Sequence, residues 1–293
     1  MPEQGLVAVY RSYWRPHCAE RAFVLHAVGV ESHVAPDGAG WALLVQAADA
    51  AAAAAQIRRY DLENPPRPRP VGAEPTEHGA GYGALAYACV VLLVAYLAGR
   101  GALGADWLQA GALSGRAIHG GEPWRALTAL TLHLDVAHLL SNLGFGVVFG
   151  LLAGQILGPG VAWLTILTAA AAANLVDAAT APATHVSVGA STAVFATLGL
   201  LAAYEWRRRA GAPERRARRW APVVAGVFLL AFTGTGEGNT DVLAHLAGFA
   251  TGALAGIVHA ARRWPRGPRV QLWAGTVALS AIVGAWVIAL AVS

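Results

Sequence analysis

The chain has 293 residues, of which 56 % are hydrophobic and only 13 % charged, with a mean hydropathy of +0.48. Soluble domains carry about 25 % charged residues, so this surface is not clothed for water and a polytopic membrane protein is expected. All 21 basic residues are arginine; they cluster beside apolar segments, where orientation in a bilayer explains the pI of 9.4 better than nucleic acid does.

The first 65 residues read differently from the rest. Val7–Tyr10 has the pattern of a strand, Ala19–Val28 of a helix, Glu31–Val34 and Trp41–Val45 of strands, and Ala47–Glu63 of a second helix. That βαββα order predicts a small α+β cytosolic domain over 1–65. The alanine run 48–55 favours helix, although it also reads as low-complexity filler. Cys18 and Cys89 fall in a polar and an apolar segment, so no disulfide is expected. The first 15 residues contain Arg11 and Arg15 and no long apolar run, which speaks against a cleavable signal peptide. Proline alternates with arginine over Asn64–Pro70, predicting a semi-rigid linker over 66–80 before a transmembrane domain over 81–293.

Apolar stretches of spanning or near-spanning length follow at 82–99, 134–157, 161–178, 190–204, 220–235, 241–260 and 271–292. Seven helices are expected, the fourth and fifth being shortest. The 100–132 gap is too long for a turn and should carry structure of its own. Arg207, Arg208, Arg209, Arg215, Arg216, Arg218 and Arg219 crowd the fourth connection, and Arg262, Arg263, Arg266 and Arg269 the sixth. The third and fifth connections have no lysine or arginine. Arginine-rich loops stay in the cytoplasm, so the amino terminus is expected inside and the carboxyl terminus outside, in a multi-pass cell-membrane protein. Arg100, Arg116 and Arg125 in the 100–132 loop run mildly against that assignment.

Polar side chains inside apolar spans are costly and mark function by default. His138 and Asn142 share a face of the second span at i and i+4; Ser191 opens the fourth and His245 lies on the sixth. His133, about 140° from His138 on a continuous helix, need not face the same site. Counting from the arginine boundaries at 1.5 Å per residue, Ser191 sits roughly 21 Å up a core of about 30 Å, and His245 roughly 21–25 Å up. Serine and histidine thus converge on one layer about 9 Å below the outer surface. His138 and Asn142 enter that layer from outside.

A serine hydroxyl becomes a nucleophile when histidine takes its proton. Gly189-Ala190-Ser191 puts the serine at a helix start, where free N–H groups favour an oxyanion, with His138 and Asn142 as further donors. Gly248, Gly252 and Gly256 repeat at every fourth position, a small-residue face that lets two helices approach closely. Blander readings stay open: Ser191 as an N-cap, His245 bonded to a carbonyl, and His138 with Asn142 as interhelical glue. Asp241 either orients His245 as a triad acid or caps the sixth helix. A metal site is disfavoured because no HExxH is present.

At these residues the chain resembles the rhomboid family of intramembrane serine proteases, over roughly 80–260. Gly189-Ala190-Ser191 is similar to the family's nucleophile motif, and Ala244-His245-Leu246-Ala247-Gly248 with Gly252 to its histidine-and-glycine helix. His138 and Asn142 match its oxyanion pair, and Trp124-Arg125 the pair in its long first loop. The βαββα segment looks like the cytosolic domain of some bacterial members. The resemblance implies a six-helix core plus a seventh C-terminal helix. It further implies a Ser191–His245 dyad working without cofactor or metal, a transmembrane protein substrate in the lipid bilayer, and a bacterial inner membrane. Phe195 falls where the family places an aromatic against the catalytic histidine, unless it faces lipid. Thr192 departs from the usual glycine after the nucleophile and is expected to narrow the site or alter preference. Proteolysis of soluble segments, a client-binding pseudoprotease and a transporter are the competing readings. The presence of both Ser191 and His245 argues against the pseudoprotease.

Overall fold

The computed structural model describes residues 5–64, 79–211, 216–234, 241–262 and 267–293. The chain divides into two compact units, Met1–Ala73 and Glu74–Ser293. Most of the expected linker, together with Arg215, Arg263 and Arg266, lies outside the described residues.

In the first unit the elements run β1 (Leu6–Ser12), α1 (Arg15–Ala27), β2 (Ser32–Asp37), β3 (Gly40–Gln46) and α2 (Ala50–Glu63). Helix α1 starts four residues before the expected Ala19 because Pro16 sits in its first turn, where a fixed φ suits the helix and no N–H is needed. The sheet order is β1-β3-β2 with antiparallel pairing throughout. Leu43 and Val45 of β3 pack with Cys18 and Leu25 of α1 and with Ala53 and Ile57 of α2. Arg21 bonds Asp61 at 2.6 Å and ties the two helices together.

The second unit opens with α3 (Ala80–Gly99). The long gap after it does carry structure: α4 (Trp107–Gly111), β4 (Leu113–Ser114), α5 (Gly115–His119) and α6 (Arg125–Thr128). Then follow α7 (Val136–Leu157), α8 (Pro159–Thr180), β5 (Val186–Ser187), α9 (Ser191–Arg208), α10 (Arg216–Gly234), α11 (Val242–Ala261) and α12 (Pro268–Val292). Among the described residues five helices are long and apolar enough to cross a membrane: α3, α7, α8, α11 and α12. The expectation of seven spans also counted α9 and α10. These run on into Glu205, Arg207 and Arg208, and into Arg216, Arg218 and Arg219, which shortens their apolar lengths. Helix α9 is buried along most of its length, packed by α7, α8, α10 and α11, so neighbouring protein rather than lipid surrounds it. Leu92, Leu140, Val148, Leu152, Phe228 and Val287 face outward, an apolar belt suited to lipid.

The tightest packing joins α9 to α11. A Cβ at Gly248 would stand 2.6 Å from Thr192 O, at Gly252 1.8 Å from Ala196 O, and at Gly256 2.3 Å from Leu200 O. Gly199 answers from α9, where a Cβ would meet Phe249 O at 2.1 Å. The glycine face therefore does what small residues do between membrane helices: it lets two backbones touch.

The loop between α3 and α7 is pinned by Arg125, whose Nη1 donates to Gln109 O at 2.6 Å and Ala112 O at 2.9 Å while Nε pairs with Glu122. Trp124 packs on a cluster that includes Trp107, Leu132 and Trp286. Asn174 of α8 donates to Ala126 O at 2.9 Å, and Trp286 of α12 to Thr131 Oγ1 at 3.0 Å. Helix α12 also docks through Gln271, which donates to Leu157 O and accepts from Val161 N, both at 3.0 Å.

Candidate active site

Four strands of sequence logic meet beside the start of α9. Ser191 is the first residue of that helix; Ala190 takes the cap position and makes no side-chain cap bond. The hydroxyl is not an N-cap. Its Oγ lies 2.8 Å from His245 Nε2, across the α9–α11 contact that Gly248 and Gly252 permit. With Nδ1 carrying the ring proton, Ser191 donates and His245 accepts. His245 is 6 % exposed, and the Phe195 ring, 5 % exposed, lies 4.4 Å from it centroid to centroid at 39°. Phe195 is packed on the imidazole and does not face lipid.

Gly189 adopts φ +129°, and a Cβ there would meet His138 Nε2 at 2.6 Å and Asn142 Nδ2 at 3.6 Å. A side chain at this position is excluded twice, by backbone strain and by the His138 ring. The same contact brings His138 and Asn142 against the segment entering α9. Asn142 is 5 % exposed and its Nδ2 has no hydrogen-bond partner. An unmatched buried amide costs about 1–3 kcal/mol, so this donor is held ready at a price to stability. Its own backbone carbonyl accepts from Tyr87 of α3 at 2.9 Å. By helix geometry the N–H of Ser191 has no intrahelical acceptor either.

His133 joins the group. Its Nε2 accepts from Ala190 N at 3.4 Å, and its ring stands edge-on to His138 with centroids 5.0 Å apart. His133 lies outside the helix, because α7 begins only at Val136, capped by Asp135, which accepts from His138 N at 2.7 Å. Residue 133 belongs to no helix and 134–135 form a bend, and His133 folds back beside His138.

Asp241 caps α11: its Oδ1 accepts from Ala244 N at 3.0 Å, and its Oδ2 pairs with His185 Nε2 at 2.9 Å. Capping, not orientation of His245, is the role these bonds give it. Thr192 is buried on the α11 side, its Cγ2 facing Gly248. It is not among the residues that line the cavity at Ser191. Trp124 and Arg125 organise the loop between α3 and α7.

The dyad opens on a cavity of about 900 Å³ lined by His138, Asn142, Ser191, His245, Phe145 and Leu229 among others. Its wall mixes polar and apolar groups, a place where water and a polypeptide can both enter. A hydroxyl on an imidazole, with spare N–H donors beside it, is the arrangement that acyl transfer requires.

A family model described as "Rhomboid domain" matches residues 120–262, the stretch from just after α5 through α11 that holds Ser191, His245, His138, Asn142 and His133. A curated relative named "Rhomboid-like protease 2" from Toxoplasma gondii is 31 % identical over 140 residues, covering 48 % of this chain and 49 % of its own length. Another, "Rhomboid-like protein 11, chloroplastic" from Arabidopsis thaliana, is 31 % identical over 145 residues, covering 46 % of this chain and 50 % of its own. The chain thus spans about half the length of the curated relatives it matches. With apolar helices of membrane-crossing length around it, the stretch 120–262 of this multi-pass membrane protein is similar to the rhomboid domain.

Proposed function

We propose that the protein is an intramembrane serine endopeptidase that cuts transmembrane helices of membrane-protein substrates near their outer ends. The 2.8 Å contact between Ser191 Oγ and His245 Nε2 carries the reading. In the first step Ser191 Oγ bonds to the scissile carbonyl carbon while its proton passes to His245 Nε2. The carbonyl oxygen becomes an oxyanion facing the Ser191 N–H, Asn142 Nδ2 and His138. His245 then returns the proton to the departing amine as the C–N bond breaks. A water, deprotonated by the same imidazole, releases the acyl group and restores Ser191. Nucleophile, base and oxyanion donors are all side chains or amides of this chain, so the reaction needs no cofactor and no metal. Phe195 holds the imidazole plane, and Gly189 brings the donors within reach.

The architecture that serves this chemistry is a six-helix core of α3 and α7–α11, with α12 as a seventh helix on the outside of α8. A cytosolic domain at 1–65 and a linker at 66–80 precede the membrane domain at 81–293. The arginines of the α9–α10 and α11–α12 connections favour a cytoplasmic amino terminus and an outer carboxyl terminus. Ser191 then works in the outer half of a membrane, a bacterial inner membrane on the family resemblance.

The test is cleavage in proteoliposomes of single-span substrates bearing a tag on each side. Wild type should release a fragment cut within or just outside the span, and Ser191→Ala and His245→Ala should not. Cleavage that survives Ser191→Ala would end the proposal.

A further inference from the structure

A second polar cluster borders the same cavity without belonging to the dyad. Asp177 lies in the last turn of α8, His185 in the segment between α8 and β5, and Asp241 at the cap of α11. One ligand atom from each lies within 4.8 Å of the others. Asp177 is 1 % exposed, and its Oδ1 has no hydrogen-bond partner. Among the described residues no arginine pairs with it. A buried carboxyl with an unmatched oxygen beside a second carboxylate must either take up a proton or share a cation with it. His185 answers only part of that need, because its Nε2 is already engaged by Asp241 Oδ2 at 2.9 Å.

We propose that Asp177, His185 and Asp241 bind a divalent transition-metal ion of the zinc class. Two carboxylate oxygens and one imidazole nitrogen are a three-ligand set with a fourth position for water. Imidazole selects against magnesium and calcium, which prefer oxygen alone. Bonds of about 2.0–2.2 Å set tetrahedral ligand atoms roughly 3.3 Å apart. The His185–Asp241 contact therefore opens slightly, the wider separations contract, and the ion replaces the bridging proton. Asp241 Oδ1 stays on Ala244 N, so the cap of α11 survives. His185 and Asp241 line the cavity, which gives the ion its way in and its water. Bound there, the ion joins the end of α8 and the segment leading to Gly189 to the first turn of the His245 helix. The inference is independent of whether Ser191 is a nucleophile.

The experiment uses the full chain in detergent, stripped with a chelator and titrated with zinc against a chromophoric competitor, with bound metal counted by mass spectrometry. Thermal unfolding is followed in zinc, magnesium and calcium. The expected result is one zinc per chain and a melting temperature raised by zinc alone. Asp177→Asn and His185→Gln should each weaken zinc binding by about tenfold or more, while His138→Gln binds as wild type does. His185 lies in a loop, so His185→Gln decides the matter if Asp177→Asn fails to fold. Absence of zinc binding, binding that survives His185→Gln, or loss in His138→Gln instead would overturn the proposal.

Discussion

Placing one methyl group at Gly252 tests whether the α9–α11 contact sets the geometry of the dyad. In Gly252→Ala the new Cβ would stand 1.8 Å from Ala196 O, where real Cβ contacts do not fall below 3.0 Å. The obstacle is backbone, so no rotamer relieves it. Helix α11 must move off α9 by about 1.2 Å, the difference between those two distances. Gly252 is seven residues, about 10 Å, from His245 along the helix, so a rigid displacement carries the imidazole with it. A contact of 2.8 Å opens toward 4 Å, outside hydrogen-bonding range. General-base assistance contributes about 10²–10⁴ in rate, and the mutant should lose at least about 10² in kcat. Overpacking costs about 1–3 kcal/mol, so some fall in melting temperature accompanies it. The intended separations rank the series: Gly252→Ala should be worst, Gly256→Ala intermediate and Gly248→Ala mildest, in the order 1.8, 2.3 and 2.6 Å. The assay is turnover of a fluorogenic transmembrane substrate, on protein whose folded fraction is fixed by thermal unfolding in the same detergent. Gly252→Ala that remains folded and turns over as wild type does would refute the reasoning.

Asn142→Ala and His138→Ala should each lower kcat by about 10²–10³ with little change in KM, while melting temperature moves modestly; a large drop in stability with kcat intact would make them packing residues. Loss of the Arg125 bonds to Gln109 O, Ala112 O and Glu122 in Arg125→Ala should cost about 1.5–3 kcal/mol per charged bond at most, read as a lower melting temperature; an unchanged transition would sink the structural role given to the loop. Burial holds the Cys18 thiol above its ordinary pKa, against the pull of Arg21. Its alkylation at pH 8 should therefore be slow until the first unit unfolds, and rapid labelling would contradict that packing. Single-cysteine accessibility should find 210–217 and 264–268 on one side of the membrane and 237 on the other; opposite sides for the first two would contradict the assigned topology.

Ser191, His245, His138 and Asn142 were legible in the sequence because a polar side chain in an apolar span has few reasons to be there. The glycine face of α11 was legible for a similar reason: each glycine costs a helix about 1 kcal/mol relative to alanine, so three on one face point to a close packing partner. Its partner Gly199 carried no periodic signal and emerges only from the packing. Helix α9 runs on past the apolar stretch 190–204 and α10 starts before 220, because hydropathy falls at the first arginine while the backbone stays helical, with Arg208 and Arg209 paired to Glu205. His133 was hidden by an assumed helix that in fact starts three residues later, at an Asp135 cap. Asp177, His185 and Asp241 lie on two helices and a loop, 8 and 56 residues apart in sequence, and no spacing rule joins them. Their meeting depends on how the end of α8, the β4–β5 pairing and the cap of α11 come together, which only tertiary structure supplies.

The most direct measurement of the central claim is covalent: a fluorophosphonate probe applied to the folded protein, with the adduct mapped by peptide mass spectrometry. A single adduct on Ser191 is expected, absent from Ser191→Ala and weak in His245→Ala, where the proposed base is gone. An adduct on another residue, or equal labelling of Ser191→Ala, would contradict it.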